Sequence, residues 1–357
     1  MRIVLASDAW HPQVNGVVRS LSMTVEQLRG SGHDVDVIEP SLFRTMPCPS
    51  YPEIRLSLRC GRKVGKILDA AQPDSIHIAT EGPIGWAARS WCIRNRRRYT
   101  TAFHTRFPDY VAIRTRIPVE WMWKLMRRFH GSAERTFAAT QSLAEELNAR
   151  GLQRTHLWPR GVDLDQFNPE VAPHSAMADL LRPILLNVGR VAREKNIEAF
   201  LDLDVAGSKV VVGGGPALDK LKAAYPDVRF LGPMHGAELA SAYTAADVFV
   251  FPSRTDTFGL VNIEALACGL PVAAYPVPGP ADILGPDERG IHGGKRRIGA
   301  LDEDLAQAVA RALTADRTAA AAEAAHYSWD RCTSLFVAGL AGPARAGSDG
   351  RKRSMRT

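Results

Sequence analysis

Two carboxylates lie eight residues apart in the segment Phe251-Pro252-Ser253-Arg254-Thr255-Asp256-Thr257-Phe258-Gly259-Leu260-Val261-Asn262-Ile263-Glu264-Ala265-Leu266-Ala267-Cys268-Gly269-Leu270-Pro271-Val272. The pattern predicts a strand ending at Phe251, a loop carrying Asp256, a helix beginning near Gly259, and a stop at Gly269-Leu270-Pro271. Asp256 then stands at the N-terminus of that helix and Glu264 about a turn inside it. The neighbours of Glu264 on the helix are Leu260, Val261, Ile263 and Leu266. A carboxylate among them is costly unless it binds something. Two such acids can take hydroxyls of a sugar and of a ribose at opposite ends of a diphosphate, with the helix N-terminus on the phosphate between them. The plainer alternative is that Glu264 is a partly solvated helix residue.

Cations for such a diphosphate come from a second segment. The strand Ile184–Val188 runs into Gly189-Arg190-Val191-Ala192-Arg193-Glu194-Lys195-Asn196. Arg190 and Lys195 leave the carboxyl end of that strand, where open α/β sheets place ligands. Two cations there can hold a diphosphate and stabilise it as a leaving group. A third segment, His11-Pro12-Gln13-Val14-Asn15-Gly16-Val17, follows the first strand. Gly16 at a helix start lets a ligand approach the backbone, and the free N–H groups favour phosphate. By contrast, Gly213-Gly214-Gly215 lacks the third glycine of a dinucleotide motif, because Leu218 occupies that position. These glycines are expected to form a tight strand-to-helix turn.

The elements that position these residues alternate. Ile3–Ala6, Val35–Ile38, Ser75–Ala79 and Tyr99–His104 read as strands, and Val17–Arg29 as a helix stopped at Gly30. The pattern breaks through the Pro-rich stretch 168–183. It restarts with strands at Ile184–Val188, Lys209–Val212, Phe230-Leu231, Val248–Phe251 and Val272–Ala274. Helices are expected at Ile197–Leu203, Ala237–Ala245 and Val261–Ala267. Strand–helix alternation implies parallel sheets with helices on both faces. With 357 residues, two domains of ~150 residues are expected. The division expected is a first domain over 1–165, a linker over 166–182, a second domain over 183–328, a helix over 329–343, and a basic, disordered tail over 344–357.

Composition excludes other classes. At 45% hydrophobic and 23% charged, the chain is neither disordered nor fibrous. Five widely spaced cysteines give no metal spacing and no disulfide framework. No apolar run approaches the ~18 residues of a membrane span, and the first residues read as a buried strand rather than a signal peptide. The net charge of +7 is uneven. Residues 1–165 carry 24 Lys/Arg against 16 Asp/Glu, whereas residues 166–344 carry 16 against 21. Between Arg94 and Arg128 stand ten basic and two acidic residues, with Trp121, Met122, Trp123, Leu125, Met126 and Phe129 among them. Basic residues beside exposed aromatics suit a helix lying on an anionic membrane. Candidate contacts are Trp121, Trp123, Lys124, Arg127 and Arg128, with Arg59, Arg62 and Lys63 on a smaller basic helix. The plainer reading makes Trp121, Leu125 and Phe129 core residues beneath a solvated basic face. No nucleic-acid motif accompanies the charge.

The chain resembles the retaining glycosyltransferases of the GT-B fold that use nucleotide-diphosphate sugars (family 4, group 1). That family's hallmark is a glutamate, seven residues, and a second glutamate leading into Ala-(Leu/Met)-Ala-x-Gly-x-Pro-Val. Glu264-Ala265-Leu266-Ala267-Cys268-Gly269-Leu270-Pro271-Val272 matches the second half, while Asp256 replaces the first glutamate and shortens its reach by one methylene. The likeness extends to Gly189-Arg190, Glu194-Lys195, Arg160-Gly161-Val162-Asp163, Phe103-His104-Thr105-Arg106-Phe107-Pro108-Asp109-Tyr110, the Asn15-Gly16 loop and Tyr327-Ser328-Trp329.

The resemblance implies two Rossmann-like, doubly wound parallel-sheet domains facing across a cleft, with the last helix, over 329–343, crossing back to the first domain. It implies that Glu264 binds the donor ribose, that Asp256 contacts sugar hydroxyls near the anomeric centre, and that Arg190 and Lys195 neutralise the departing diphosphate. It adds the backbone near Asn15, Gly16, Phe258, Gly259, Leu260 and Val261 to the donor pocket, and brings His104 to the sugar from the first domain. No metal and no cofactor beyond the sugar nucleotide is implied. The closest likeness is to lipid-directed members, the transferases that make glycosyldiacylglycerols, sulfolipid or mannosyl lipids. The expected enzyme is thus a retaining hexosyltransferase, cytoplasmic and peripheral at the inner face of the membrane, moving sugar from a UDP-sugar or GDP-mannose to a lipid. A soluble or polysaccharide acceptor, a GT-B epimerase and a non-catalytic binding protein are the alternatives.

Overall fold

The computed structural model describes residues 1–13, 15–48, 51–104 and 118–342, with the side chains of 51–54 left aside. The first sheet is built from β1 (Arg2–Ala6), β2 (Asp34–Ile38), β5 (Ser75–Ile78), β6 (Thr100–Phe103), β7 (Arg135–Ala138) and β8 (Thr155–Leu157). Its order is β2-β1-β5-β6-β7-β8, and every pairing is parallel. Ile3, Val4, Leu5, Ile76 and Ile78 are fully buried, as strands covered by helices on both faces require. An antiparallel hairpin, β3 (Thr45–Cys48) with β4 (Tyr51–Ser57), stands outside the sheet.

The second sheet contains β9 (Ile184–Val188), β10 (Ser208–Val212), β11 (Arg229–Gly232), β12 (Val248–Phe251), β13 (Val272–Ala274) and β14 (Gly299–Leu301). Its order is β11-β10-β9-β12-β13-β14, again all parallel. The direction of winding reverses between β1 and β5 in the first sheet and between β9 and β12 in the second. Crevices beyond the carboxyl ends of such neighbouring strands are where doubly wound sheets bind ligands.

Several contacts join the two domains. Ser142 donates from its backbone N (3.0 Å) and its Oγ (2.5 Å) to the Asp282 carboxylate. Val162 N donates to the Tyr327 carbonyl. The helix Trp329–Gly339 returns to the first domain, where Trp329, Cys332 and Phe336 join Ile3, Leu5 and Phe137 in one core. A Cβ at Gly161 would lie 2.4 Å from the Trp329 ring, so the absence of a side chain there lets the crossing helix seat. Among the described residues, no helix is long and apolar enough to cross a membrane.

Candidate active site

The loop after β9 and the loop after β12 meet at the second switch point. Lys195 closes a short 3₁₀ turn, Arg193–Lys195, and its Nζ lies 2.5 Å from Asp256 Oδ1. Asp256 Oδ2 is buried and has no hydrogen-bond partner among the described residues. A buried acceptor in that state is a standing deficit that an O–H donor would satisfy. Arg190, half exposed, stands 3.7 Å from Glu194.

The helix Leu260–Ala267 begins at Gly259, whose φ of +80° favours glycine; a Cβ there would lie 2.5 Å from Asn262 Nδ2. Phe258 is buried, and Leu260 and Val261 pack partly against the core. Glu264 is almost fully buried. Its Oε2 accepts from the Tyr243 hydroxyl at 3.1 Å, and its Oε1 is 2.5 Å from Arg19 Nη1. Burial first, then the Glu264 charge, pushes the Tyr243 hydroxyl well above its ordinary pKa, so it stays a donor.

Arg19 belongs to the first domain, on the helix Gly16–Gly30. Asn15 caps that helix, its Oδ1 accepting from Val18 N at 3.0 Å, so the side-chain oxygen is committed to the cap. A Cβ at Gly16 would lie 3.9 Å from Leu260 Cδ1. The N-termini of the helices Gly16–Gly30 and Leu260–Ala267 therefore approach one another across the boundary. Each carries unpaired N–H groups and the positive end of a helix dipole. Together with Lys195 they make an electropositive place suited to a dianionic diphosphate.

His104 directly follows β6, one strand from the first switch point. Burial first, then the Arg160 charge, holds its imidazole well below the ordinary histidine pKa, so it is neutral. Arg160 Nη2 donates to Nδ1 at 3.0 Å. Arginine has only donors, so the imidazole proton resides on Nε2. That Nε2 is buried without a partner among the described residues. Thr257 Oγ1, next to Asp256, donates to the His104 carbonyl at 3.1 Å. Asp256 and His104, each with a buried polar atom that lacks a partner among the described residues, thus come from opposite domains and flank one hydrogen bond between them.

The tight turn expected at the glycine run is present. A Cβ on Gly213, at φ +147°, would strike the Gly189 carbonyl at 1.8 Å, so the run packs against the loop carrying Arg190. Residues 105–110 of the His104 segment, Val14 and the tail 344–357 lie outside the described residues.

One membrane candidate is corrected. Trp123 is 1% exposed, stacks on Phe103 with ring centroids 5.8 Å apart, and carries the Arg150 guanidinium over its ring. Helix Val119–His130 buries Met122, Trp123, Met126 and Phe129, which fixes the outward face. That face is Trp121, Lys124, Leu125 and Arg128, so the core reading also fails for Trp121 and Leu125 and holds for Phe129. Arg127 is half-buried and donates to the Arg150 carbonyl. Arg59, Arg62 and Lys63 are exposed beside Leu58. Arg19, Tyr243 and Thr257 are site neighbours that the sequence reading did not single out; no local motif marks them.

Residues 14–166 match the model of Glycosyltransferase Family 4, and residues 177–325 match Glycosyl transferases group 1. The GDP-mannose-dependent alpha-mannosyltransferase of Mycobacterium tuberculosis is 31% identical over 341 residues, covering 87% of each chain. The alpha-monoglucosyldiacylglycerol synthase of Streptococcus pneumoniae is 28% identical, covering 88% of this chain and 79% of that one. Sucrose-phosphate synthase from Thermosynechococcus elongatus superposes with a TM-score of 0.70 at 22% identity, over 94% of this chain and 97% of that one. With both sheets wound in this way and both halves matched, this chain belongs to the GT-B glycosyltransferases of family 4 and group 1 and is a nucleotide-sugar glycosyltransferase.

Proposed function

We propose that the enzyme is a retaining hexosyltransferase that moves sugar from GDP-mannose or a UDP-sugar to a membrane-lipid acceptor such as diacylglycerol or a glycolipid. The observation that carries the reading is that Asp256 Oδ2 and His104 Nε2, buried and without partners among the described residues, belong to residues of opposite domains that flank the Thr257–His104 hydrogen bond. A hexose offers O–H groups to the first and lone pairs to the second. In this reading Glu264 takes the ribose hydroxyls, with Tyr243 orienting its carboxylate. Arg190, Lys195 and the two facing helix N-termini hold the diphosphate, so its departure is stabilised by protein cations and no metal is required there. The sugar C1–O bond to phosphate breaks as the acceptor oxygen bonds to C1 on the same face. The acceptor proton passes to the departing phosphate oxygen. Positioning and fixed charge then supply most of the rate.

The lipid acceptor is supported by two things. One relative's name specifies a diacylglycerol product; another's, which specifies GDP-mannose, bears on the donor. The first domain also presents Trp121, 69% exposed, with Leu125, Lys124 and Arg128 on one helix face. An aromatic and basic face of this kind suits peripheral attachment to an anionic inner membrane surface. The test is transfer of label to a bacterial lipid extract from UDP-glucose, UDP-galactose, UDP-glucuronic acid and GDP-mannose in separate reactions, with Lys195→Ala as control. Lysine-dependent label in the lipid phase with one donor is expected. Label appearing only on soluble acceptors would overturn the lipid assignment.

A further inference from the structure

We propose that His292, Glu323 and His326 bind one divalent transition-metal ion, zinc being the best match, at the hinge where the chain leaves the second domain. One potential ligand atom from each lies within 4.8 Å of the other two. None of the three belongs to the donor site described above. Glu323 and His326 are three residues apart, on the helix Arg317–Ala324 and the 3₁₀ turn Ala325–Tyr327 that continues it. This spacing sets a carboxylate and an imidazole on one face, as in helical metal sites. His292 comes from the irregular stretch between the helix Pro280–Leu284 and β14.

The donor set is two nitrogens and one carboxylate oxygen. Such a set favours zinc and its transition-metal neighbours over magnesium or calcium, which prefer oxygen alone. The carboxylate is already fixed. Ile291 N donates to Glu323 Oε1 at 2.9 Å, and a Cβ on Gly290 would lie 2.3 Å from the Glu323 carboxyl carbon. The two imidazoles stack with centroids 4.2 Å apart and planes 17° from parallel, so binding requires one ring to turn until a lone pair of each points at the ion. His292 Nδ1 and Glu323 Oε1 are 2.7 Å apart and share a proton that an ion would replace. An open cavity of about 400 Å³, lined in part by Gly293, Gly294, Thr318 and Ala322, adjoins the three residues. It leaves room for water as a fourth ligand.

One residue opposes the ion. Exposed Arg331 places Nη1 3.3 Å from His326 Nδ1, so its guanidinium competes with a metal for that imidazole. The next residue, Tyr327, accepts from Val162 N, and Ser328 bridges to Val162. An ion here would tie a loop of the second domain to the strand of chain that crosses to the first, and so stiffen the hinge.

The test uses the full chain, stripped with EDTA and dialysed, then titrated with ZnCl₂ by calorimetry and with CoCl₂ by visible absorption. One ion per chain and a higher Tm with zinc are expected. His292→Ala and His326→Ala should each weaken zinc binding by at least about tenfold, and Arg331→Ala should tighten it. His326 and Arg331 are exposed, so those variants should fold, and circular dichroism checks this. Absence of saturable binding to the native chain, or affinity equal to that of the native chain in both histidine variants, would overturn the site.

Discussion

Arg19 and Glu264 meet across the domain boundary with Nη1 and Oε1 2.5 Å apart, the arginine half exposed and the carboxylate buried. The pair puts a cation from the first domain on the carboxylate proposed to receive the donor ribose. Because water can reach Arg19, its loss should cost at most about 1 kcal/mol of stability. Glu264→Ala should weaken binding of GDP or UDP by roughly tenfold or more, about 1.4 kcal/mol. Arg19→Ala should not weaken it comparably, because the ribose would then meet no competing guanidinium. Calorimetric titration of both variants checks this. Equal losses would assign Arg19 to the nucleotide itself.

Lys195 touches Asp256 and is part exposed, so it can be removed without opening a core. Lys195→Ala should lower kcat by roughly 10²-fold or more, the scale seen when a preorganised charge-stabilising donor is lost. Its thermal midpoint should stay close to that of the native chain. Steady-state transfer rates beside a melting curve distinguish this from damage to the fold.

Stability should fall as solutions become acidic. Burial, then the Arg160 charge, lowers His77 to about 3 and His104 well below its ordinary value. In the unfolded chain both titrate near ~6.5. Below that pH the unfolded state takes up protons that the folded state refuses, so unfolding is favoured. Asp8 works in the opposite sense, because burial raises it to about 6 and the folded state takes up its proton first. Two histidines outweigh one aspartate. The free energy of unfolding should drop by on the order of 2 kcal/mol between pH 7 and pH 5. Urea titrations at the two values measure it; a rise on acidification would contradict the burial of these imidazoles as neutral groups.

Two tryptophans two residues apart should behave in opposite ways. Trp123→Ala empties a site between Phe103 and Arg150 and should cost about 3–5 kcal/mol. Trp121→Ala should leave the melting curve almost unchanged and reduce sedimentation with vesicles containing phosphatidylglycerol. Unaltered vesicle binding by Trp121→Ala with Leu125→Ser would remove this face from the membrane assignment.

The helix Val119–His130 shows where sequence reading stops. Its apolar residues cover more than one face, so spacing alone cannot say which face is inward. Packing against Phe103 and Leu143 selects Trp123 and Met126 and turns Trp121 and Leu125 outward. The hairpin β3–β4 escaped notice for a related reason. Prolines at Pro47 and Pro52 interrupt any alternating pattern, and only pairing of the two strands with each other makes them strands. The strands around the donor site were legible because each is a short buried apolar run punctuated by glycine or proline. Ile184–Val188, Val248–Phe251 and Val272–Ala274 have the boundaries that their residues imply.

The sequence by itself determined which local segments carry chemistry. The acid at 256, the helix with the acid at 264 and the loop with Lys195 each lie within a single strand–loop–helix unit, where glycine, proline and apolar period decide the conformation. It could not determine which group from the first domain faces them. The hydrogen bond from Thr257 to His104 joins residues 153 positions apart, and Arg19 reaches Glu264 from near the other end of the chain. Neither pairing has a local signal. Both follow from contact between the two domains, fixed by the crossing helix Trp329–Gly339, and that long-range packing decides which partners a buried carboxylate or imidazole meets.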